Sequence, residues 1–298
     1  MQFLSIQSSF GRQSLPGFLF YPVMQNHSVI AFAGVGNMAQ AMIQGLLKSG
    51  HPPDHILAHR RNLKAIRHLH EQGVQLCPTL PEAITPAQLV VLAVKPWHTL
   101  DLAQQCAAHL GTQAHLASVA AGISIAQLGE AVPDLAQHGR LVRLMPNTPV
   151  ATGKGVIGCY APNGENLLVT TALQPLGQLL WLKEEEQIHA LTAIAGCGPA
   201  YYFRILEHMQ TIAEELGLPA PEARQLVLHT LRGSSSLALD NQDKSFAALV
   251  EQIISPGSAT GMALQTFAEQ GLEACLRAGI QAAHKRSHQL SNFNPYSQ

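Results

Sequence analysis

Two short stretches of this 298-residue chain have residue types and spacing that can do chemistry. The first is Gly34-Val35-Gly36-Asn37-Met38-Ala39, a G-x-G-x-x-A run directly after the apolar segment 29–33. The first glycine permits a tight turn. The second lets the backbone approach a pyrophosphate, and Ala39 lets the next helix pack closely on the strand. Free N–H groups and the dipole at that helix start attract phosphate. The spacing alone also fits a plain tight turn; the strand before it and the helix after it favour a dinucleotide site. The second stretch is Ser255-Pro256-Gly257-Ser258-Ala259-Thr260. It opens a helix, and backbone N–H groups around Gly257, Ser258 and Ala259 can hold a small carboxylate. The same residues also fit ordinary N-terminal capping. A dinucleotide site and a small-anion loop in one chain predict reduction of a small molecule.

The end of the second strand indicates which dinucleotide. A site for NAD places Asp or Glu about 20 residues past the fingerprint, to bond the ribose 2′-hydroxyl. This chain has His59-Arg60-Arg61 there and no carboxylate. Two guanidiniums suit a 2′-phosphate, so NADPH is the expected cofactor and NADH the second choice. A solvated basic turn is the alternative. Ala93-Val94-Lys95-Pro96 ends a long apolar strand, where a doubly wound sheet opens onto its ligand crevice. Ala121-Gly122 and Asn147, in Met145-Pro146-Asn147-Thr148-Pro149, follow later strands in the same way. Small and rigid residues there allow a flat nicotinamide ring to lie on the backbone.

These residues need a scaffold of alternating elements. Strands are expected at 29–33, 55–58, 74–76, 89–94, 116–120, 141–144, 155–160 and 181–182. Helices are expected at 38–48, 63–72 and near 165–179 between them. Such spacing predicts βαβ units in an α/β, doubly wound Rossmann domain over 28–185. The rhythm changes near Lys183, and an all-helical domain is expected over 186–298. Its helices are placed at 200–216, 220–239, 246–254, 259–269 and 272–290. They are apolar on more than one face, which predicts burial against a second copy. Residues 1–27 read as a disordered extension and a poor secretory signal, with Met24 as an alternative start.

Composition narrows the function classes. Only 12 % of residues are charged, against roughly 25 % in an average globular protein, which favours a large core and subunit interfaces. A net charge of -1 gives no footprint for nucleic acid or a membrane surface. No apolar run reaches the roughly 18 residues a membrane helix needs. Five scattered cysteines lack zinc or redox spacing, which fits reduced thiols in a cytoplasm. Cys197, between two glycines, reads as a packed small residue rather than a nucleophile. Fifteen histidines raise the question of a metal, but His68 and His70 at i, i+2 do not share a helix face. Solvent-facing histidines and no metal are the expectation.

The assembled motifs resemble the pyrroline-5-carboxylate reductases, from about residue 29 to about residue 290. The matching pieces are the fingerprint at 34–39, Val94-Lys95-Pro96, Ala121-Gly122, Arg143-Leu144-Met145-Pro146-Asn147-Thr148-Pro149, Gly196-Cys197-Gly198-Pro199-Ala200-Tyr201 and the loop 255–260. The fingerprint is common to many dehydrogenases, whereas the full set in this order is specific. The resemblance implies reduction of 1-pyrroline-5-carboxylate to L-proline with NADPH or NADH as hydride donor. It also implies an intertwined homodimer through the C-terminal helices, in some relatives assembled into rings. Thr260 corresponds to the family residue whose hydroxyl lies by the ring nitrogen, and Ser255, Gly257, Ser258 and Ala259 to the substrate loop. The chain departs from the family at Cys197, where serine is usual, and at Ser258, where glycine is usual. Trp97, Leu80 and Ile254 are further departures. A reductase of another cyclic imine or keto acid, and a non-catalytic NADPH-binding relative, are the alternative readings.

Overall fold

The computed structural model describes residues 27–291. Its strands are β1 (Ile30–Ala33), β2 (Ile56–His59), β3 (Gln75–Leu76), β4 (Leu89–Leu92), β5 (His115–Ser118), β6 (Leu141–Pro146), β7 (Gly155–Tyr160) and β8 (Gly177–Trp181). They form one eight-stranded sheet in the order β3-β2-β1-β4-β5-β6-β7-β8. The first six are parallel. This is the doubly wound order, and it reverses between β1 and β4. β7 then runs antiparallel to β6, while β8 is parallel to β7. Only residues 147–154 join β6 to β7, too few for the crossover that a parallel pair needs.

Helices cover both sheet faces. α1 (Asn37–Lys48), α2 (Arg67–His70), α3 (Leu80–Ile84), α4 (Thr99–Ala107), α5 (Ile125–Ala131), α6 (Pro133–Gln137) and α7 (Leu167–Leu173) lie between the strands. Ile30 and Phe32 of β1 join one core with Met42, Ile43 and Leu46 of α1 and Val169 of α7. Ala31 and Ala33 join the other, with Ile84, Cys106, Leu128 and Leu135 from α3 to α6. Successive residues of a strand point to opposite faces, so β4 is apolar throughout and fully buried. The expected helix at 63–72 is instead a 3-10 turn (Leu63–Ile66) followed by α2. The one expected near 165–179 stops at Leu173. Pro175, which lacks an N–H, sits in a 3-10 turn, and β8 begins at Gly177.

After β8 the described residues contain helices only. They are α8 (Gln187–Leu191), a π-helical turn (Thr192–Gly196), α9 (Gly198–Glu215), α10 (Ala220–Asp240), α11 (Phe246–Glu251), α12 (Ala259–Glu269) and α13 (Leu272–Ser291). α9 pairs with α10, and α13 packs on α8, on the π-turn and on α12. Little of this half is buried: from α10 onward Ala223 and Val227 are the core apolar residues. Phe246 is 80 % exposed, Phe203 and Leu239 66 % each, and Met262 61 %. Apolar exposure on this scale marks a surface made to be covered.

The reading of residues 1–27 as a disordered extension lies outside the described residues, apart from His27. Its carbonyl accepts a hydrogen bond from His55 Nδ1 at 2.8 Å.

Candidate functional site

The expected cofactor residues come together along the carboxyl edge of the sheet. Gly34 follows β1, His59, Arg60 and Arg61 lie at the end of β2, residues 93–96 follow β4, Ala121 and Gly122 follow β5, and Asn147 follows β6. Because β2, β1, β4, β5 and β6 are neighbours and parallel, these ends form one continuous ledge. Backbone bonds fasten it: Gly34 N–H donates to His59 O at 2.9 Å, and Ala93 N–H to Ala33 O at 2.9 Å. Gly34 has φ +84°, and a Cβ there would lie 2.3 Å from Val94 Cγ1. Both the backbone sign and the space therefore require glycine. At Gly36 a Cβ would meet only Ala93 O, at 3.9 Å. Gly36 and Asn37 are exposed, Met38 half-buried, and Val35 and Ala39 buried.

The start of α1 fits phosphate. Gly36 is its N-cap and offers no side-chain cap, and no acidic residue occupies the first turn. The first amides are thus without intrahelical acceptors at the start of the helix. Arg60 leans on the fingerprint, with Nη1 donating to Val35 O at 3.1 Å, while Arg61 is exposed. His59 is half-buried, its Nδ1 donating to Cys77 O at 2.9 Å. Lys95 is exposed, and Trp97, 51 % exposed, stands beside it. Gly122 supports the ledge after β5. A Cβ there would lie 2.4 Å from Leu290 O, so the last turn of α13 rests on its backbone.

Asn147 is buried and braces the ledge from below. Its Nδ2 donates to Ala195 O at 3.0 Å in the π-turn, and its Oδ1 accepts from Val156 N–H at 2.8 Å. Cys197 caps α9, next to that turn. Burial, with the neighbouring Cys197 thiol, raises the Tyr201 phenol above its usual range. Cys106 and Cys159 are pushed up to about 12, chiefly by burial, and stay protonated thiols.

The loop 255–260 runs from the link after α11 into the first turn of α12, which begins at Ala259. Ser258 is the N-cap of α12 and accepts from Gly261 N–H at 3.2 Å. This capping occupies the Gly261 amide, and Ser258 N–H donates to Ser255 O at 3.0 Å, so Ala259 and Thr260 keep the free amides of the first turn. Ser255, Gly257, Ala259 and Thr260 are exposed, and α12 packs mainly on α13. Extensive contact between α12 and the sheet's ledge is not part of the single chain's packing.

One pairing was not expected from sequence. Arg143, buried in β6, donates from Nη1 to Glu185 Oε1 at 2.7 Å, and the same oxygen accepts from Ile125 N–H at 2.9 Å. The signal was an arginine inside the apolar run Leu141-Val142-Arg143-Leu144, since a buried cation requires a partner. The expectation of solvent-facing histidines also fails at two positions. His51 and His189 are buried, 5 % and 4 % exposed. Burial comes first and the neighbouring His27 and His55 second in lowering His51 to about 4. Among the described residues no helix is long and apolar enough to cross a membrane.

Comparison with known proteins adds sequence relatives to this geometry. A family model described as pyrroline-5-carboxylate reductase dimerisation matches residues 185–290. A second, described as NADP oxidoreductase coenzyme F420-dependent, matches residues 29–122. The pyrroline-5-carboxylate reductase of Pseudomonas aeruginosa is 36 % identical over 271 residues, covering 88 % of this chain and 96 % of the relative. That of Haemophilus influenzae is 33 % identical over 271 residues, covering 90 % and 99 %. The solved structure of a pyrroline-5-carboxylate reductase from Coxiella burnetii superposes with a TM-score of 0.80 at 30 % identity, covering 89 % of this chain and 99 % of that one.

Proposed function

The chain belongs to the pyrroline-5-carboxylate reductase family, and on that premise we propose that it reduces 1-pyrroline-5-carboxylate to L-proline with NAD(P)H. The observation that carries the reading is the presence in one chain of two anion-ready helix starts. One is α1 at the carboxyl edge of the sheet, the other α12 at Ser258. The first suits a dinucleotide pyrophosphate, the second a small carboxylate.

Gly34, Val35, Gly36, Asn37, Met38 and Ala39 bind the pyrophosphate through backbone amides. His59, Arg60 and Arg61 take the adenosine ribose, and the two guanidiniums favour its 2′-phosphate, hence NADPH over NADH. Ala93, Val94, Lys95, Pro96, Ala121 and Gly122 form the floor under the nicotinamide, and Asn147 fixes that floor. When bound, the nicotinamide supplies the hydride.

The remaining task is to orient a cyclic imine and deliver a proton to its nitrogen. Ser255 and Ser258 frame the loop, Ser258 N–H closing it on Ser255 O at 3.0 Å, and the N–H groups of Gly257 and Ala259 hold the carboxylate. Thr260, one residue into α12, presents its hydroxyl to the ring nitrogen. A hydroxyl is a weak acid, so Thr260 positions the substrate and passes a proton from water, while most of the acceleration comes from holding two ligands in register.

The loop is exposed in one chain and belongs to the half whose apolar side chains face outward. A homodimer formed through the C-terminal helices covers that face and brings the loop of one copy to the ledge of the other. Rings of such dimers follow the habit of the family, and the reduced buried thiols suit a cytoplasmic enzyme.

The test is a turnover assay with 1-pyrroline-5-carboxylate beside its six-membered homologue. Oxidation of the nicotinamide by the five-membered imine, faster than by the six-membered one, is expected. Thr260→Val keeps the shape and removes the hydroxyl, so kcat falls more than KM rises, by roughly 2–4 kcal/mol at most. No turnover of the five-membered imine by well-folded protein overturns the reading. Undiminished turnover in Thr260→Val moves the site elsewhere.

A further inference from the structure

At the seam between α8 and α13, three ligand atoms converge that imine reduction does not use. Glu186 and His189 are three residues apart at the start of α8; His284 and His288 are four apart on α13. Both spacings set side chains on one helix face. Both recur among helical metal sites.

Glu186 Oε1 lies 3.1 Å from His288 Nδ1, and its Oε2 lies 3.9 Å from His189 Nε2. All three ligand atoms fall within 4.8 Å of one another. Tetrahedral zinc spaces its ligand atoms about 3.3 Å apart, so modest side-chain rotation closes the group on an ion.

The non-ligating nitrogen of each imidazole is already held. His189 Nδ1 bonds Ser287 Oγ at 2.8 Å, and His288 Nε2 lies 3.3 Å from His284 Nε2. Such outer partners fix the tautomer and orientation of metal-bound histidines. Ser291 Oγ lies at the edge, 3.5 Å from His189 Nε2. The His189 and His288 rings stack with centroids 4.0 Å apart. Arg143, the permanent cation acting on His189, is paired with Glu185. His189 is buried, whereas the Glu186 carboxylate is largely in solvent and gives an ion a way in.

We propose that Glu186, His189 and His288 bind a divalent ion of the zinc class, with Ser287 and His284 orienting the imidazoles and water in the fourth position. The ion clamps α13 to α8. The set matches three-ligand zinc sites of two imidazoles and one carboxylate.

The test uses full-length protein without a polyhistidine tag, stripped with chelator and titrated with Zn2+ by calorimetry and with Co2+ by visible absorption. One ion per chain, a tetrahedral Co2+ spectrum and a Tm raised by Zn2+ are expected. Ser287→Ala weakens the affinity by roughly 10–100-fold. His288→Ala and Glu186→Gln abolish both the spectrum and the Tm rise. Glu186 is mostly solvated, so Glu186→Gln keeps the fold and decides the matter if His288→Ala does not fold. Absence of saturable binding overturns the proposal, as does a spectrum and Tm rise that persist undiminished in Glu186→Gln.

Discussion

Arg60 is proposed to read the 2′-phosphate, yet its Nη1 donates to Val35 O in the fingerprint. The two roles separate by kinetics. Arg60→Ala is expected to lower kcat/KM for NADPH by about 1.5–3 kcal/mol and to leave NADH nearly unchanged. Equal losses with both cofactors would assign Arg60 to bracing the loop. His51 carries a prediction about pH. Its folded value of about 4 lies below the ordinary 6.5, so between these limits the unfolded chain binds more protons than the folded one. Stability therefore rises with pH through this window and is lost as pH falls from about 6.5 to about 4. Thermal midpoints should drop across the window, and His51→Gln should flatten the drop; an identical drop in the variant would leave the carboxylates as its cause. At this scale the fingerprint was legible, because Gly34 answers to a local backbone constraint that spacing reveals. The burial of His51 and His189 was not, because it depends on neighbours distant in sequence. The His284 and His288 pair is legible in the sequence, because their i, i+4 spacing sets both on one helix face.

Glu185 acts between elements. It joins Arg143 of β6 to the first turn of α5, whose N-cap Ser124 forms a capping box with Gln127. Glu185→Gln leaves a buried guanidinium without its counter-charge and should cost about 3 kcal/mol of stability, read by denaturant unfolding. A change within a few tenths would mean that solvent reaches Arg143. The strands were the most legible elements: short β-rich runs bounded by turn residues admit few other structures. Helix ends were less so. The pattern at 165–179 continued past Pro175 because periodicity does not register a missing N–H or a strand beginning at Gly177. The antiparallel β7 was not foreseen, although the shortness of the 147–154 link implied it. The short helices α3 to α6 were missed, since they offer too few turns to show a period.

The whole molecule divides its burial unevenly. The sheet is enclosed by two cores, while α9 to α13 leave large apolar side chains such as Phe203, Phe246 and Phe267 in the open. Full-length protein at micromolar concentration is expected to be at least dimeric by light scattering, and a stable monomer would contradict the covering of this face by a second copy. That the C-terminal helices were apolar on more than one face was plain in the sequence; whether the loop serves its own chain's ledge or a partner's was not, because a sequence does not distinguish contacts within a chain from contacts between chains. The exposure of residues 255–260 has a genetic corollary. A chain disabled at Gly34 and a chain disabled at Thr260 are each inactive alone. With the loop of one copy on the ledge of the other, as proposed, one site of a mixed pair inherits both lesions and the other neither. Two null alleles expressed in one cell are therefore expected to complement, restoring about a quarter of normal activity when a two-fold dimer assembles at random; no restored activity would place loop and ledge of one site in the same chain.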